Sequence, residues 1–203
     1  MSDWEMVMRT RRTVRRFSQR RPERSLVEEL LELAITAPSA SNNQPWRFFV
    51  TDRPELIDEL AQAVQEAVAE VQAVLPPEEL PAFTRYGDYF VRFREAPVVI
   101  VPAFRPLTLL SQMIEPSQTI ERLELYSGLA STSLAVQNLL LAAHARGLGA
   151  TCMTGPLLAA DRIEARLGIP NGWQMALLVA LGYAAEEPRP TSRKSLETVL
   201  RWV

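Results

Sequence analysis

Residues 37–48, APSASNNQPWRF, join a segment of helical periodicity to a segment with the composition of a β-strand. Pro38 and Pro45 restrict the backbone on either side, and hydroxyl and carboxamide side chains fill most of the space between them. Such groups both donate and accept hydrogen bonds, so the loop suits the edge of a flat heterocycle. The alternative is a plain polar connection in which the prolines only stop a helix and start a strand.

The elements on both sides of this loop are readable from the sequence. Upstream, Ser25 and Glu28 predict a capping box, and apolar residues then recur at helical spacing until Pro38. Downstream, residues 46–51 are aromatic and β-branched and predict a strand. A second helix is predicted to start at Pro54. The loop therefore connects a helix to a strand.

Further elements follow from the same patterns. In chain order we predict a buried strand at 96–101, a helix at 123–146 ended by Gly147 and buried nearly all round, a strand at 148–153, a helix at 159–167, one long strand at 173–183, and a tail strand at 198–203 that pairs outside its own domain. Helices and strands do not alternate strictly, so an α+β fold is favoured over a doubly wound one. We expect a single domain over residues 1–203.

Residues 102–120 resist this reading because they hold Pro102, Pro106 and Pro116 among leucines. A mobile segment over a site and a short helical insertion are equally compatible with that composition. Residues 186–203, which begin with a polar, proline-rich stretch, form the C-terminal arm.

The composition excludes several classes of function. With 22 basic and 24 acidic residues, the chain has no overall field that favours nucleic acid or an anionic membrane, and it has no apolar run long enough for a span. Its one cysteine and one histidine exclude a disulfide framework and a cluster of soft metal ligands. We read Cys152 as a buried structural thiol and His144 as a partly exposed helix residue, and we expect a cytoplasmic protein without a metal.

A second motif lies at residues 11–17, RRTVRRF. Arg11 and Arg15 stand four apart with Thr13 between them, a spacing at which two guanidinium groups can converge on one anion. A solvated basic patch is the alternative. The sequence has no P-loop, no Gly-x-Ser-x-Gly elbow and no Rossmann fingerprint, so if the protein is an enzyme we expect a bound cofactor to supply the reactive atoms.

Together these motifs resemble the FMN-dependent nitroreductase family. The likeness runs through RRTVRRF, APSASNNQPWRF, AVQNLLLAAHARGLGATCMTG at 135–155 and LGIPNGWQMALLVALGY at 167–183, in that order. It implies a central mixed β-sheet flanked by helices, in an intertwined homodimer whose C-terminal arms are exchanged. It also implies FMN at the subunit interface, NAD(P)H as reductant, and a small planar acceptor such as a nitroaromatic or quinone.

The resemblance also assigns residues. Four residues would hold the FMN phosphate and ribitol: Arg11, Arg12, Thr13 and Arg15. Arg193 in the arm would add a guanidinium to the phosphate. The other protomer would line the flavin ring with Pro38, Ser39, Ala40 and Asn42. Backbone N–H groups would face the ring edge from Met153, Thr154 and Gly155. No protein side chain is assigned a catalytic proton.

Other readings keep the flavin and change the chemistry. Branches of the family oxidise peptide heterocycles, dehalogenate iodotyrosine, or consume flavin to make a benzimidazole, and in the last of these an aspartate tends to stand where this chain has Thr13. A non-catalytic protein that stores or senses flavin is a further alternative. A helical interaction protein without a cofactor is the remaining one.

Overall fold

The fold is described from a computed structural model for residues 3–188 and 191–203. Its strands are β1 (Trp46–Thr51), β2 (Val98–Phe104), β3 (Gly149–Met153), β4 (Gln174–Met175) and β5 (Leu178–Gly182). Its α-helices are α1 (Asp3–Thr10), α2 (Arg24–Ala34), α3 (Pro54–Val74), α4 (Leu80–Gly87), α5 (Gln118–Ala145), α6 (Ala160–Leu167) and α7 (Leu196–Val199). Short 3-10 turns cover Ala40–Asn42, Arg92–Glu95 and Gly155–Ala159.

The strands form one sheet in the order β1-β2-β5-β3, with β4 also paired to β2. All these strand pairs are antiparallel. A parallel bridge joins Thr13 to Ala150 of β3, and an antiparallel bridge joins Phe17 to Ala184. The sheet is therefore mixed through the N-terminal segment that lies along its edge.

Strand β2 occupies the centre of the molecule and is buried along its whole length. Val99 and Val101 pack into one apolar cluster with α3 and α6, whereas Val98 and Ile100 pack into another with α2 and α5. Successive residues of a strand point to opposite faces, so one continuous apolar run serves both layers. The predicted α+β architecture, a central sheet flanked by helices, is confirmed.

The prediction of one long strand at 173–183 is wrong, because two short strands occupy that segment. Strand β4 pairs with Ala103 and Phe104, and β5 pairs with residues 98–100. Pro102 lies between these two ladders and has no N–H to donate, although its carbonyl accepts from the Ala176 N–H at 2.9 Å. The proline therefore interrupts the pairing of the two strands.

Two helix ends also differ from expectation. Helix α2 starts at Arg24, with Glu23 as its N-cap and no side-chain cap, so the predicted capping box does not form. Helix α5 starts at Gln118, where the Ser117 hydroxyl accepts from the Ile120 N–H. Its predicted end is confirmed, since Gly147 follows with a φ of 75°.

The expectation that this long helix is buried nearly all round is wrong for the chain described. Leu123, Tyr126 and Leu134 are about half exposed, and their spacing places them on one side of α5. The opposite side faces the sheet and α2. An apolar stripe on α5 is therefore open to solvent in the single chain.

The segment at 102–120 is shorter than predicted, because 102–104 belong to β2 and 118–120 to α5. The irregular remainder is anchored to α5 by Glu124, whose backbone carbonyl accepts from the Leu107 N–H at 3.2 Å. The Glu124 carboxylate accepts from the N–H groups of Leu110 and Ser111 at 2.8 and 3.2 Å. A role for residues 105–117 as a cover over the site stays a prediction.

The predicted tail strand at 198–203 is also wrong. Residues 196–199 form the short helix α7, and residues 200–203 have no regular structure. All of residues 191–203 are exposed, including Leu196, Val199 and Trp202. Exchange of this arm between protomers stays a prediction.

Gly149 is expected to tolerate no side chain. A Cβ there would lie 2.6–2.7 Å from three atoms of Val14. We expect Gly149→Ala to lower the free energy of unfolding by about 1–3 kcal/mol, measured by chemical denaturation, because the added methyl group overpacks a closed contact. In a Val14→Gly background, which removes all three of these atoms, the same change should cost much less, and an equal cost in both backgrounds would contradict this account.

Protection of the Leu110 and Ser111 amides should depend on pH through Glu124. Burial acts to raise the pKa of Glu124, but hydrogen bonds from Ser111 and Leu110 prevail and hold the pKa below its usual 4.5. A lowered folded-state pKa stabilises the anchor above pH 4.5 and loses that effect as pH falls through the folded value. Hydrogen exchange corrected for intrinsic rates should show this loss in the wild type and not in Glu124→Gln.

Candidate active site

The RRTVRRF segment is joined to the edge of the sheet. The Val14 N–H donates to the Ala150 carbonyl at 3.1 Å, and Thr13 bridges Ala150 in parallel orientation. Val14 is buried and rests on bare Gly149. Two residues beyond this bridge in each of the two paired segments, Arg15 and Cys152 line the same cavity.

This cavity has a volume of about 360 Å³. Its lining residues are Arg15, Tyr86, Tyr89, Phe90, Arg92, Thr151, Cys152, Met153, Thr154 and Gly155. The Phe90 ring packs directly on Gly155, where a Cβ would stand 2.1 Å from the ring. The fold thus brings Arg15 together with all three of the predicted ring-edge residues.

Arg11 lies within electrostatic range of Cys152 on the cavity wall and of His144 near the end of α5. Burial lowers the pKa of His144, and the charges of Arg11 and Arg12 add to that effect. The Thr10 hydroxyl donates to the Met6 carbonyl at 2.7 Å and lies 2.9 Å from His144 Nε2. Since a hydroxyl has one proton, His144 Nε2 carries the hydrogen of that second bond. The reading of His144 as a partly exposed helix residue is confirmed.

The Arg12 side chain is held by the backbone of its own segment. Its guanidinium donates to the carbonyls of Arg9 and Arg11 at 2.6 and 2.7 Å, where it closes the end of α1. The predicted role of Arg12 as a phosphate ligand stays a prediction.

Cys152 is exposed on the cavity wall, so the reading of this residue as a buried thiol is wrong. Partial burial raises the pKa of the Cys152 thiol, and the Arg11 charge opposes that shift. Since the ordinary value is already above neutrality, the group is a thiol at pH 7. It meets the cavity as a small polarisable side chain.

Glu186 was not found from the sequence. Its Oε1 accepts from the N–H groups of Arg15 and Arg16 at 2.9 and 3.2 Å. The hydrogen bond from the Arg15 backbone is the main cause of a lowered pKa at Glu186. The carboxylate therefore fixes the backbone from which the Arg15 side chain departs.

The loop at 38–42 is held by α5. The Ala40 N–H donates to the Ser131 hydroxyl at 3.2 Å, and Ser39 Oγ accepts from the Gln44 N–H at 3.0 Å. Ser41, Asn42 and Gln44 all have φ near 50°. Non-glycine residues in that region cost free energy, which a simple connection would not require.

This loop is remote from the RRTVRRF arginines of its own chain. It touches α5 at Ser131, whereas Arg11 is next to the helix end near His144. Thirteen residues at a rise of 1.5 Å separate these two points by roughly 20 Å along the axis. The fold therefore does not bring Pro38, Ser39, Ala40 and Asn42 to the cavity of the same chain.

Arg193 also lies apart from the cavity. Its guanidinium donates to Thr191 Oγ1 and to the Ser192 carbonyl at 2.8 and 2.9 Å, within the exposed arm. A phosphate role for Arg193 stays a prediction.

Four cavity residues come from a region whose sequence shows no period, and the sequence reading missed them: Tyr86, Tyr89, Phe90 and Arg92. The signal present in FTRYGDYFVRF, residues 83–93, is its density of aromatic and arginine side chains. The packing of Phe90 on Gly155 joins that segment to the site.

The part of the chain that the structure describes contains neither a metal-ligand cluster nor a membrane-spanning helix. No three His, Cys, Asp or Glu side chains come together in a way that could hold a metal ion there. Within the same residues, no helix has the length and apolarity needed to cross a bilayer.

The residues of the cavity fit a flavin mononucleotide. Arg15 offers cationic donors for an anion, and the charge of Arg11 reaches Cys152 on the cavity wall. The strand end at 153–155 offers backbone beside a glycine without a side chain. Of the described residues that line the cavity, none is a carboxylate that would oppose a phosphate or an electron-rich ring. Where this group binds, these are the residues that would hold it.

Comparison with known proteins agrees with this geometry. The chain is 32% identical to a NADH dehydrogenase from Thermus thermophilus, over 95% of this chain and 92% of that protein. It is 29% identical to an iodotyrosine deiodinase from Drosophila melanogaster, over 96% of this chain and 67% of that protein. The fold matches a nitroreductase with bound FMN from Desulfitobacterium hafniense DCB-2 with a TM-score of 0.76 and 24% identity, over 100% of this chain and 99% of that one.

The family model for nitroreductases matches residues 8–183, a range that holds the joined arginine segment, the sheet and the cavity. The chain belongs to the nitroreductase family.

Proposed function

We propose that this protein is an FMN-dependent oxidoreductase that transfers hydride from NAD(P)H to a small planar acceptor such as a nitroaromatic or a quinone. The observation that carries the proposal is that Arg15, Met153, Thr154 and Gly155 line one and the same cavity. Support for FMN comes from the solved nitroreductase, which contains it, and support for a nicotinamide reductant comes from the name of the Thermus relative.

The protein's own part in this reaction is binding and electrostatics. Arg11 and Arg15 supply charge for the phosphate and for the electron-rich end of the ring, with Glu186 holding the Arg15 backbone. Bound FMN would supply the hydride chemistry itself. Because His144 and Cys152 are not needed as acid or base, the scarcity of such residues in the sequence agrees with this assignment.

We propose a homodimer because one chain does not complete the site. The loop at 38–42 and the arginine segment lie roughly 20 Å apart along α5, so a second copy is needed to set one beside the other. The exposed stripe of Leu123, Tyr126 and Leu134 is apolar surface of the kind that such an interface covers. A cytoplasmic location stays a prediction from the sequence.

Reductive dehalogenation is the second candidate. The similarity to the Drosophila iodotyrosine deiodinase over nearly the whole chain favours it, as does the aromatic wall of the cavity. The reduced protein offered 3-iodotyrosine under anaerobic conditions should release iodide if this branch is correct. Flavin storage without catalysis instead predicts tight FMN binding and no turnover with either acceptor.

The first test is the absorption spectrum of the purified protein. We expect a flavin spectrum that NADH or NADPH bleaches and a nitro compound or quinone restores. A protein that holds FMN and is bleached by neither nucleotide would falsify the proposed reaction.

Arg11→Ala with Arg15→Ala should abolish FMN retention, because the phosphate and ring lose both cationic donors. Arg53→Ala is the matched control, since Arg53 is an exposed arginine that does not line the cavity. Flavin released on denaturation gives the occupancy, and circular dichroism checks that each variant is folded. Equal occupancy in the double variant and the control would remove the arginines from the site.

Subunit mixing tests whether two chains build each site. One variant carries Arg11→Ala and Arg15→Ala, and the other carries Ser39→Ala and Asn42→Ala. Refolding the two together should restore about a quarter of the sites, because half of the randomly paired dimers are mixed and each mixed dimer has one intact site. If both halves came from one chain, mixing would restore nothing.

A further inference from the structure

The cavity has a second wall that the flavin assignment leaves unused. It is made by the end of α4 and the turn after it, with Tyr86, Tyr89 and Arg92. Tyr86 and Tyr89 are 63% and 49% exposed, which is unusual for two large aromatic side chains so close together. Tyr86 packs edge to face on Phe90, with ring centroids 4.8 Å apart, and Phe90 in turn rests on Gly155. This wall is therefore attached to the strand end where we assign the ring.

Arg92 is held on this wall by stacking. Its guanidinium lies 4.5 Å from the centroid of the Tyr89 ring. A cation–π contact uses the charge of the guanidinium and does not consume its N–H donors, which are available to a ligand. Throughout residues 3–188 and 191–203, no carboxylate forms an ion pair with Arg92.

Arg94, two residues after Arg92, has a structural role and serves as a comparison. Arg94 forms an ion pair with Asp58 of α3 at 2.8 Å and does not line the cavity. Arg92 has neither that partner nor that position. A cation with free donors on the wall of a concave site is suited to binding rather than to holding the fold.

The charge of the whole cavity has one sign. Arg15 and Arg92 are its charged lining residues, and Asp88, although on the same turn, is not part of the described lining. If Arg15 serves the flavin, Arg92 remains as a positive group beside two exposed aromatic rings. Aromatic faces with one adjacent guanidinium match a flat ring that carries an acidic substituent.

We propose that Arg92 is a specificity-determining residue that binds the carboxylate or other anionic substituent of an aromatic acceptor, whose ring packs against Tyr86 and Tyr89. This inference rests on the proposed oxidoreductase function and names its substrate class. For a nitro acceptor the balance is simple. NAD(P)H gives a hydride, solvent gives a proton, and the nitro group takes up two electrons and two protons to leave as a nitroso compound and water.

The test compares 4-nitrobenzoate with 4-nitrobenzyl alcohol, which has similar size and no charge, on the FMN-loaded protein. Arg92→Gln should lower kcat/KM for the benzoate by about ten- to a hundredfold, as expected for the loss of a charge-assisted hydrogen bond. Its kcat/KM for the alcohol and for NAD(P)H should stay the same. Arg92→Lys should recover part of the loss, and Arg94→Gln should leave the ratio of the two acceptors unchanged.

Two kinetic outcomes would overturn the proposal. An equal loss for both acceptors would make Arg92 a structural residue, and a loss confined to NAD(P)H would make it part of the reductant site. Isothermal titration of 4-nitrobenzoate into the protein as purified decides the matter without turnover. Binding that Arg92→Gln weakens supports the proposal even if no reduction occurs, whereas binding unchanged by the variant contradicts it even if the protein is an active reductase.

Discussion

The hydrogen bond from the Val14 N–H to the Ala150 carbonyl is the contact on which the site depends. It joins a segment near the N-terminus to a strand almost 140 residues later in the chain and sets the register between the arginines and the end of β3. Gly149 makes this contact possible because any side chain there would collide with Val14. A backbone bond to the edge of a packed sheet fixes position far better than a flexible arginine could, so the charge arrives at the cavity already oriented.

The 28-residue helix α5 has the opposite effect. It keeps the loop at 38–42 apart from the arginine segment, and the proposed site contains both. One end of the helix holds the arginine segment through Thr10 and His144, while a point nearer its middle holds the polar loop through Ser131. A rigid helix cannot fold back on itself, and for this reason we propose that a second molecule supplies one of the two contributions. In the proposed dimer, cofactor binding and association are coupled, because each stabilises the other by mass action.

The chemistry assigned to the protein is modest, and the physical properties of its side chains agree with that. The Cys152 pKa is raised and the His144 pKa is lowered, so both groups are neutral at pH 7 and neither adds charge to the site. The fixed charges are arginines, which keep their protons under all ordinary conditions. In the proposed reaction, such a site tunes the cofactor through a constant positive field and selects its acceptor through shape and charge.

The amino-acid sequence was sufficient for the elements whose signals are local. Strand β1 has the predicted bounds, and Gly147 ends α5 as expected, because aromatic and β-branched composition and a glycine at the cap act over a few residues. The motif resemblance assigns the arginine segment and residues 153–155 to one site, and of these residues Arg15, Met153, Thr154 and Gly155 line one cavity.

Other features depend on contacts between distant residues, and only the tertiary structure could decide them. The break between β4 and β5 comes from Pro102 on the strand opposite, and the clamp of Glu186 on Arg15 joins residues 171 positions apart. The aromatic wall with Arg92 lines the cavity through tertiary contacts such as the packing of Phe90 on Gly155. Hydrophobic periodicity indicates the secondary structure of one segment and the face that it buries. These features depend instead on contacts between distant segments, and the packing of the whole chain determines those contacts.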